Sequence, residues 1–216
     1  MIFYYFKNVS SIIYWMNKKD LLKSVSQITD AETLLELLKK CQKIDLPKYK
    51  ITKKILYRLY KLEKDVFYLA DLAFIELQTL NIKRFVYYIE RGYRIDKKNP
   101  SILVGMSIIC CDGYNGKIDL EKAEKYANLA KKYDSDISFS KELISYTLSC
   151  IVLCSENSSS QEKDNAVKQL KKFKKKNSYL EVEINKKLFA YYLDNKRMIE
   201  AKQCLDFLLK ICYNIS

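Results

Sequence analysis

Four of the seven cysteines fall in two close groups: Cys110 and Cys111 are adjacent, and Cys150 and Cys154 lie one helical turn apart. Four thiolates drawn together could hold zinc. The paired CxxC spacing of a zinc knuckle is missing, however, and cysteines within apolar stretches ordinarily pack as small hydrophobes. Packing is the favoured reading, so no metal ligand and no cofactor site is assigned. The chain has no histidine, which removes Ser-His-Asp and Cys-His machinery and every metal site that needs imidazole. No phosphate-cradling loop is present, since Gly113 and Gly116 are too isolated to make one. Carboxylates are mostly interleaved with Lys at helix-surface spacing, which ion pairing explains. No catalytic residue is assigned, and the chain is not expected to be an enzyme.

Two basic stripes offer a different chemistry. Lys50, Lys54 and Lys61 share one face of a predicted helix, with Tyr57 and Arg58 on its flanks. Further on, Lys168, Lys171, Lys172 and Lys175 oppose the apolar residues Ala166, Leu170 and Phe173. Such faces could follow a phosphate backbone, with tyrosines available for stacking. A solvated helix back explains them equally simply and is preferred. The formal charge of +13 is spread along the chain, so it does not single out an anion site.

The elements that position these residues follow from composition. A chain of 216 residues, 49% of them hydrophobic but with only 4 Gly and 2 Pro, can bury a generous core yet lacks the turn-formers of a hairpin-rich fold. Apolar periodicity with start and stop signals predicts successive helices. A short helix is expected near Leu21 to Ile28, and Asp30 caps the next. Pro47 sits in the first turn of a helix whose inner stripe is Ile51, Ile55, Leu59 and Leu62. Val66 to Leu80 and Ile82 to Ile95 turn around Asn81. Asn99 and Pro100 open a helix that reaches Cys111, and Asp119 caps Leu120 to Tyr133. Further pairs follow from about Phe139 to Lys176 and from Tyr179 to Tyr213, with capping-box spacing at Ser159 and Glu162 and at Ser178 and Glu181. The fold class is all-α.

The pair Ile102 to Lys132 carries Gly105 in its first helix and Asp119, Lys122, Ala123, Tyr126 and Ala130 around and within its second. This pattern resembles the tetratricopeptide and Sel1-like superfamily of helix–turn–helix repeats, and the insert Asp112 to Ile118 is similar to the longer loop of the Sel1-like class. Val66 to Asn99 matches through Leu69, Leu72, Ala73 and Gly92, but Phe85 stands where Ala is usual, so looser or offset packing is expected there. Ala166 with Leu170 and Phe173, and Ala201 with Leu205 and Leu208, continue the pattern at an irregular period. The resemblance implies an α-solenoid of antiparallel helix pairs over residues 66–216, with residues 1–65 as a helical segment capping the array.

It also implies partner binding along the first helices. Glu76, Gln78, Thr79 and Ser107 are the expected groove residues, and another protein is the expected partner. The leading function is a non-enzymatic protein–protein scaffold or adaptor. The alternatives are a nucleic-acid-binding repeat protein using the Lys-rich faces, or an accessory module of an enzyme encoded elsewhere. The aromatic segment 1–16 is read as a cap in preference to a membrane-surface anchor, being too short and broken to span a bilayer and lacking a basic leader and cleavage site. An odd cysteine count without a disulfide framework suggests a reducing, cytoplasmic setting.

Overall fold

The computed structural model describes residues 18–43, 49–133, 138–176 and 181–213. Among them there are eleven α-helices and no strand. In chain order these are α1 (Lys18–Gln27), α2 (Ala31–Lys43), α3 (Lys50–Glu63), α4 (Val66–Gln78), α5 (Ile82–Ile95), α6 (Pro100–Asp112), α7 (Leu120–Tyr133), α8 (Ser138–Cys154), α9 (Ser160–Lys176), α10 (Glu181–Asp194) and α11 (Met198–Tyr213). The chain divides into two compact units, Met1–Asp96 and Lys97–Ser216. The aromatic segment 1–16, Pro47 and Ser178 lie outside the described residues, as do the side chains of Cys41, Lys175 and Cys212.

In the first unit Asp30 accepts from the Thr33 amide at 2.7 Å and so caps α2 as expected. Leu34, Leu37 and Leu38 of α2 meet Ile51, Ile55, Leu56 and Leu59 of α3, and Leu69 and Leu72 of α4 close the same core. Leu62 is 40% exposed, against expectation. The buried stripe of α3 instead runs through Leu56 and Tyr60 beside Ile55 and Leu59, the i, i+4 pairs of a true helical period. Helix α4 packs against both α3 and α5. Of the looser or offset packing expected at Phe85, looseness is absent: the ring is fully buried, with its centroid 6.2 Å from that of Phe74. Leu80 takes a left-handed φ of 57° in the turn between α4 and α5, and the Asn81 amide returns to the Glu76 carbonyl at 2.8 Å.

In the second unit Asn99 accepts from the Ile102 amide at 3.1 Å and Pro100 occupies the first turn of α6. Residues Ser101 to Gly105 and Ser107 to Cys111 are all buried, so α6 is a central helix covered on nearly every side. It ends at Gly113, whose φ is +68° and where an added Cβ would stand 3.0 Å from the Ile118 side chain. Glycine is required there on both counts. Asp119 then caps α7 through the Lys122 amide at 3.0 Å.

The small residues of α7 do what their spacing suggests. Ala123, Ala127 and Ala130 are fully buried, and α7 packs on α6 closely enough for the Ser107 hydroxyl to donate to the Ala123 carbonyl. We expect Ala130→Leu to overpack this seam and cost about 1–3 kcal/mol, read as a lower urea midpoint at unchanged slope. A midpoint equal to wild type would mean that the seam can yield.

Helices α8 with α9 and α10 with α11 pair in the same way, and α6, α8 and α10 pack side by side in that order. The capping box of α9 is formed, with the Ser159 amide 2.8 Å from the Glu162 carboxylate and the Glu162 amide 3.3 Å from the Ser159 hydroxyl. In α11 the inner stripe is Ala201 and Cys204, whereas Leu205 is 39% exposed. The apolar face there is rotated by one residue from the expected register.

Candidate functional site

Three helices of the second unit bring a polar cluster together. Cys111 and Asp112 end α6, Cys154 ends α8, and Lys187 lies within α10 between the buried residues Ile184 and Leu188. The Lys187 ammonium stands 2.6 Å from Asp112 Oδ1 and donates to Cys154 Sγ at 3.8 Å. One step along α10, the Glu183 carboxylate is bound by Lys186 at 2.8 Å and accepts from the Tyr114 hydroxyl at 3.4 Å. Cys111 and Cys150 are buried, whereas Cys154 reaches the surface.

The electrostatics of the two neighbouring thiols are opposed. The hydrogen bond from Cys111 holds the Cys154 thiol below its ordinary value; Lys187 adds to this, while burial and Asp112 work against it. Cys111 is pushed up, first by that same bond to Cys154 and then by burial. Burial also pushes up Cys150 and Tyr146. Around Lys187, burial disfavours the ammonium, but Asp112 and the thiols Cys111 and Cys154 outweigh it and hold the lysine above its usual range. The cluster therefore sets a lowered thiol at Cys154 against a raised one at Cys111.

A second feature of this unit is an open groove of about 670 Å³ between α8 and α9. Ile144, Leu148, Val152 and Ala166 make its floor, and Lys131, Glu162, Asn165 and Gln169 stand around it. The three apolar residues from α8 follow the i, i+4, i+8 spacing of one helix face. That face is left partly uncovered, since Leu148 and Val152 are only half-buried.

The expected groove residues are placed differently. Glu76 is 1% exposed and is held by Lys53 at 3.2 Å and Arg84 at 3.6 Å. Ser107 is fully buried on the α7 seam. Both serve packing within their own unit, because the low charge of α4 and α6 reflects burial and not an open surface. Thr79 is exposed, but its hydroxyl turns back to the Ile75 carbonyl at 3.1 Å. Gln78 is half-buried at the end of α4.

Of the first basic stripe, Lys50 and Lys61 are exposed, and Lys61 lies 4.9 Å from the centre of the Tyr57 ring. Lys54 and Arg58 are committed internally: Lys54 donates to the Leu22 carbonyl, and Arg58 donates to the Ile28 carbonyl at 3.2 Å. They dock α1 on α3, Lys54 at its middle and Arg58 just past its C-terminus, where a cation meets the negative end of a helix. Two of the four cations in that stripe thus bond within their own unit, and the other two face solvent. On α9, Lys168, Lys171 and Lys172 are exposed, with Lys171 5.6 Å from the centre of the Tyr192 ring; the side chain of Lys175 lies outside the described residues.

Sequence reasoning found Cys111 and Cys154 but not the residues that make them a cluster. Lys187 was the available signal: it sits beside Leu188 and three residues after Ile184, on the edge of the buried stripe of α10. A lysine in that register must find a carboxylate or reach solvent. Among the described residues no group of three or more His, Cys, Asp or Glu is arranged to hold a metal ion, and no helix is long and apolar enough to cross a membrane. No protein-family model, curated protein or solved structure matches the chain.

Proposed function

We propose that this chain is a non-enzymatic helical-repeat scaffold that binds an amphipathic helix of another protein in the groove between α8 and α9. The observation that carries the reading is the partly uncovered apolar face Ile144, Leu148 and Val152, closed by Ala166 and rimmed by polar side chains. An apolar floor of helical spacing with a mixed-charge rim suits helix-in-groove recognition. A rim holding both Lys131 and Glu162 does not favour a polyanion. The repeat reading is supported by the ordered packing of α6, α8 and α10, each with a following helix against it. In this scheme the second unit is a short stacked array of the tetratricopeptide or Sel1-like kind.

The test is capture of host proteins by wild type, by Leu148→Arg and by a Lys168→Glu, Lys172→Glu double variant, each with and without nuclease. A protein retained by wild type and the double variant but lost by Leu148→Arg, at unchanged helicity, supports the groove. Retention by Leu148→Arg with loss in the double variant would move binding to the exposed Lys face of α9. Nuclease-sensitive capture would replace a protein partner with nucleic acid.

A further inference from the structure

Helices α3 and α5 both pack on α4 and meet through their side chains in one register. Lys53 and Arg84 share the Glu76 carboxylate, and the Arg91 guanidinium stands 5.1 Å from the centre of the Tyr60 ring. Each of these pairs is 31 positions apart in sequence, so the two helices run in the same direction with matching turns. We infer that their joint face binds single-stranded nucleic acid, with bases stacking on Tyr57 and Tyr87 and phosphates meeting Lys61, Lys64 and Arg84. This inference lies wholly in the first unit and does not rest on the groove between α8 and α9.

This face is not the stripe expected from the sequence, since Lys54 and Arg58 turn to α1. On α3 it carries Lys53, Tyr57 and Lys61 at successive turns, with Tyr60 and Lys64 beside them. Cations and rings alternate there. The Lys61 ammonium is 4.9 Å from the centre of the Tyr57 ring, and the Lys64 ammonium is 5.9 Å from that of Tyr60. On α5, Arg91 donates to the Tyr87 hydroxyl at 3.2 Å, and the Tyr87 ring meets Tyr88 edge-on at 5.3 Å. Tyr88 in turn packs against the core that α3 helps to form. Two rings of this face stand open to water, Tyr57 at 39% and Tyr87 at 53% exposed, whereas Tyr60 is buried.

Charge selects the class of ligand. Helices α3 and α5 together carry nine Lys and Arg against two carboxylates, and neither carboxylate stands unpaired to repel a phosphate. Glu63 accepts from the Tyr68 hydroxyl, and Glu90 pairs with Arg94 at 3.8 Å. Glu76, from α4, is buried between Lys53 and Arg84. The surface thus offers cations one helical turn apart, about 6 Å, with exposed aromatic rings between them, which is what a single strand needs. A duplex keeps its bases stacked inside and would leave the rings unused. An acidic protein segment would likewise engage the cations alone.

The experiment measures binding of the full chain to labelled oligouridine and oligothymidine of about 12 nucleotides, by fluorescence anisotropy across a salt series. Both single strands should bind, with log affinity falling against log salt by about 0.7 for each phosphate neutralised. A duplex of the same length should bind about tenfold more weakly. Tyr57→Ala and Tyr87→Ala should each weaken single-strand binding about tenfold at unchanged salt slope, and Tyr57→Phe should restore it. Lys61→Gln combined with Lys64→Gln should instead lower the slope by about 1.4. Circular-dichroism melts equal to wild type distinguish these losses from unfolding. Lys168→Gln with Lys172→Gln, in the second unit, should bind as wild type does. No binding at low salt, a duplex or polyglutamate competing as well as the single strand, or full affinity in both alanine variants would overturn the inference. So would a loss confined to the second-unit variant.

Discussion

Replacing Phe85 with Ala should cost the first unit about 3–5 kcal/mol, a large share of the total stability of a domain of this size. Phe85 is fully buried, and its ring meets Phe74 across the contact between α4 and α5. Helix α4 is also held against α3, and a three-residue turn ties α5 to it, so neither helix is free to shift and fill the cavity. Phe85→Leu keeps most of the volume and should lose far less. Tyr87, two residues along the same helix, is 53% exposed, so Tyr87→Ala should stay within about 0.5 kcal/mol of wild type. Urea denaturation followed by circular dichroism, with hydrogen exchange to assign the loss to residues 18–95, separates these cases. Equal shifts for Phe85→Ala and Tyr87→Ala would show that the α4–α5 seam is not the core described above.

Phe85 also marks where reading the sequence went well and where it stopped. Helix positions were legible because caps and apolar periods are local signals: Asp30, Asn99, Asp119 and the Ser159–Glu162 box each bond the amides their spacing predicts. The alanines of α7 were legible for the same reason, since a small residue every turn marks a close helix contact. Which neighbour a residue meets is a long-range matter. An aromatic at the Ala position of a repeat register implied looser or offset packing, and Phe74 from the preceding helix fills the space beside it. Lys54 and Arg58 looked like half of a cationic stripe because nothing local reveals that α1 docks against them. The thiol cluster needed α6, α8 and α10 to converge, and residues 76 positions apart in sequence, Cys111 and Lys187, carry no shared local pattern. Apolar first helices were equally consistent with a groove and with a core. In α6 burial decided for the core, and in α8 the face carrying Leu148 and Val152 was left partly open.

Around Glu76 the two sides of one ion-pair network should respond unequally. Its carboxylate is 1% exposed, whereas the partner side chains, Lys53 at 3.2 Å and Arg84 at 3.6 Å, are 23% and 64% exposed. Removing the acid frees two cations that can turn to water. Removing Lys53 instead leaves a buried carboxylate with one distant guanidinium and the Thr79 hydroxyl at 3.5 Å. We therefore expect Lys53→Met to cost about 3 kcal/mol, because an uncompensated buried charge is the expensive outcome. Glu76→Gln should cost about 1 kcal/mol, since the amide can still accept from Thr79. Combining Lys53→Met with Glu76→Leu removes both charges and should recover much of the loss seen in Lys53→Met alone. The same urea titration measures all three variants. If Glu76→Gln proves costlier than Lys53→Met, the network is held by attraction and not by the need to neutralise a buried acid. The packing of α3 on α4 would then depend on the ion pair itself.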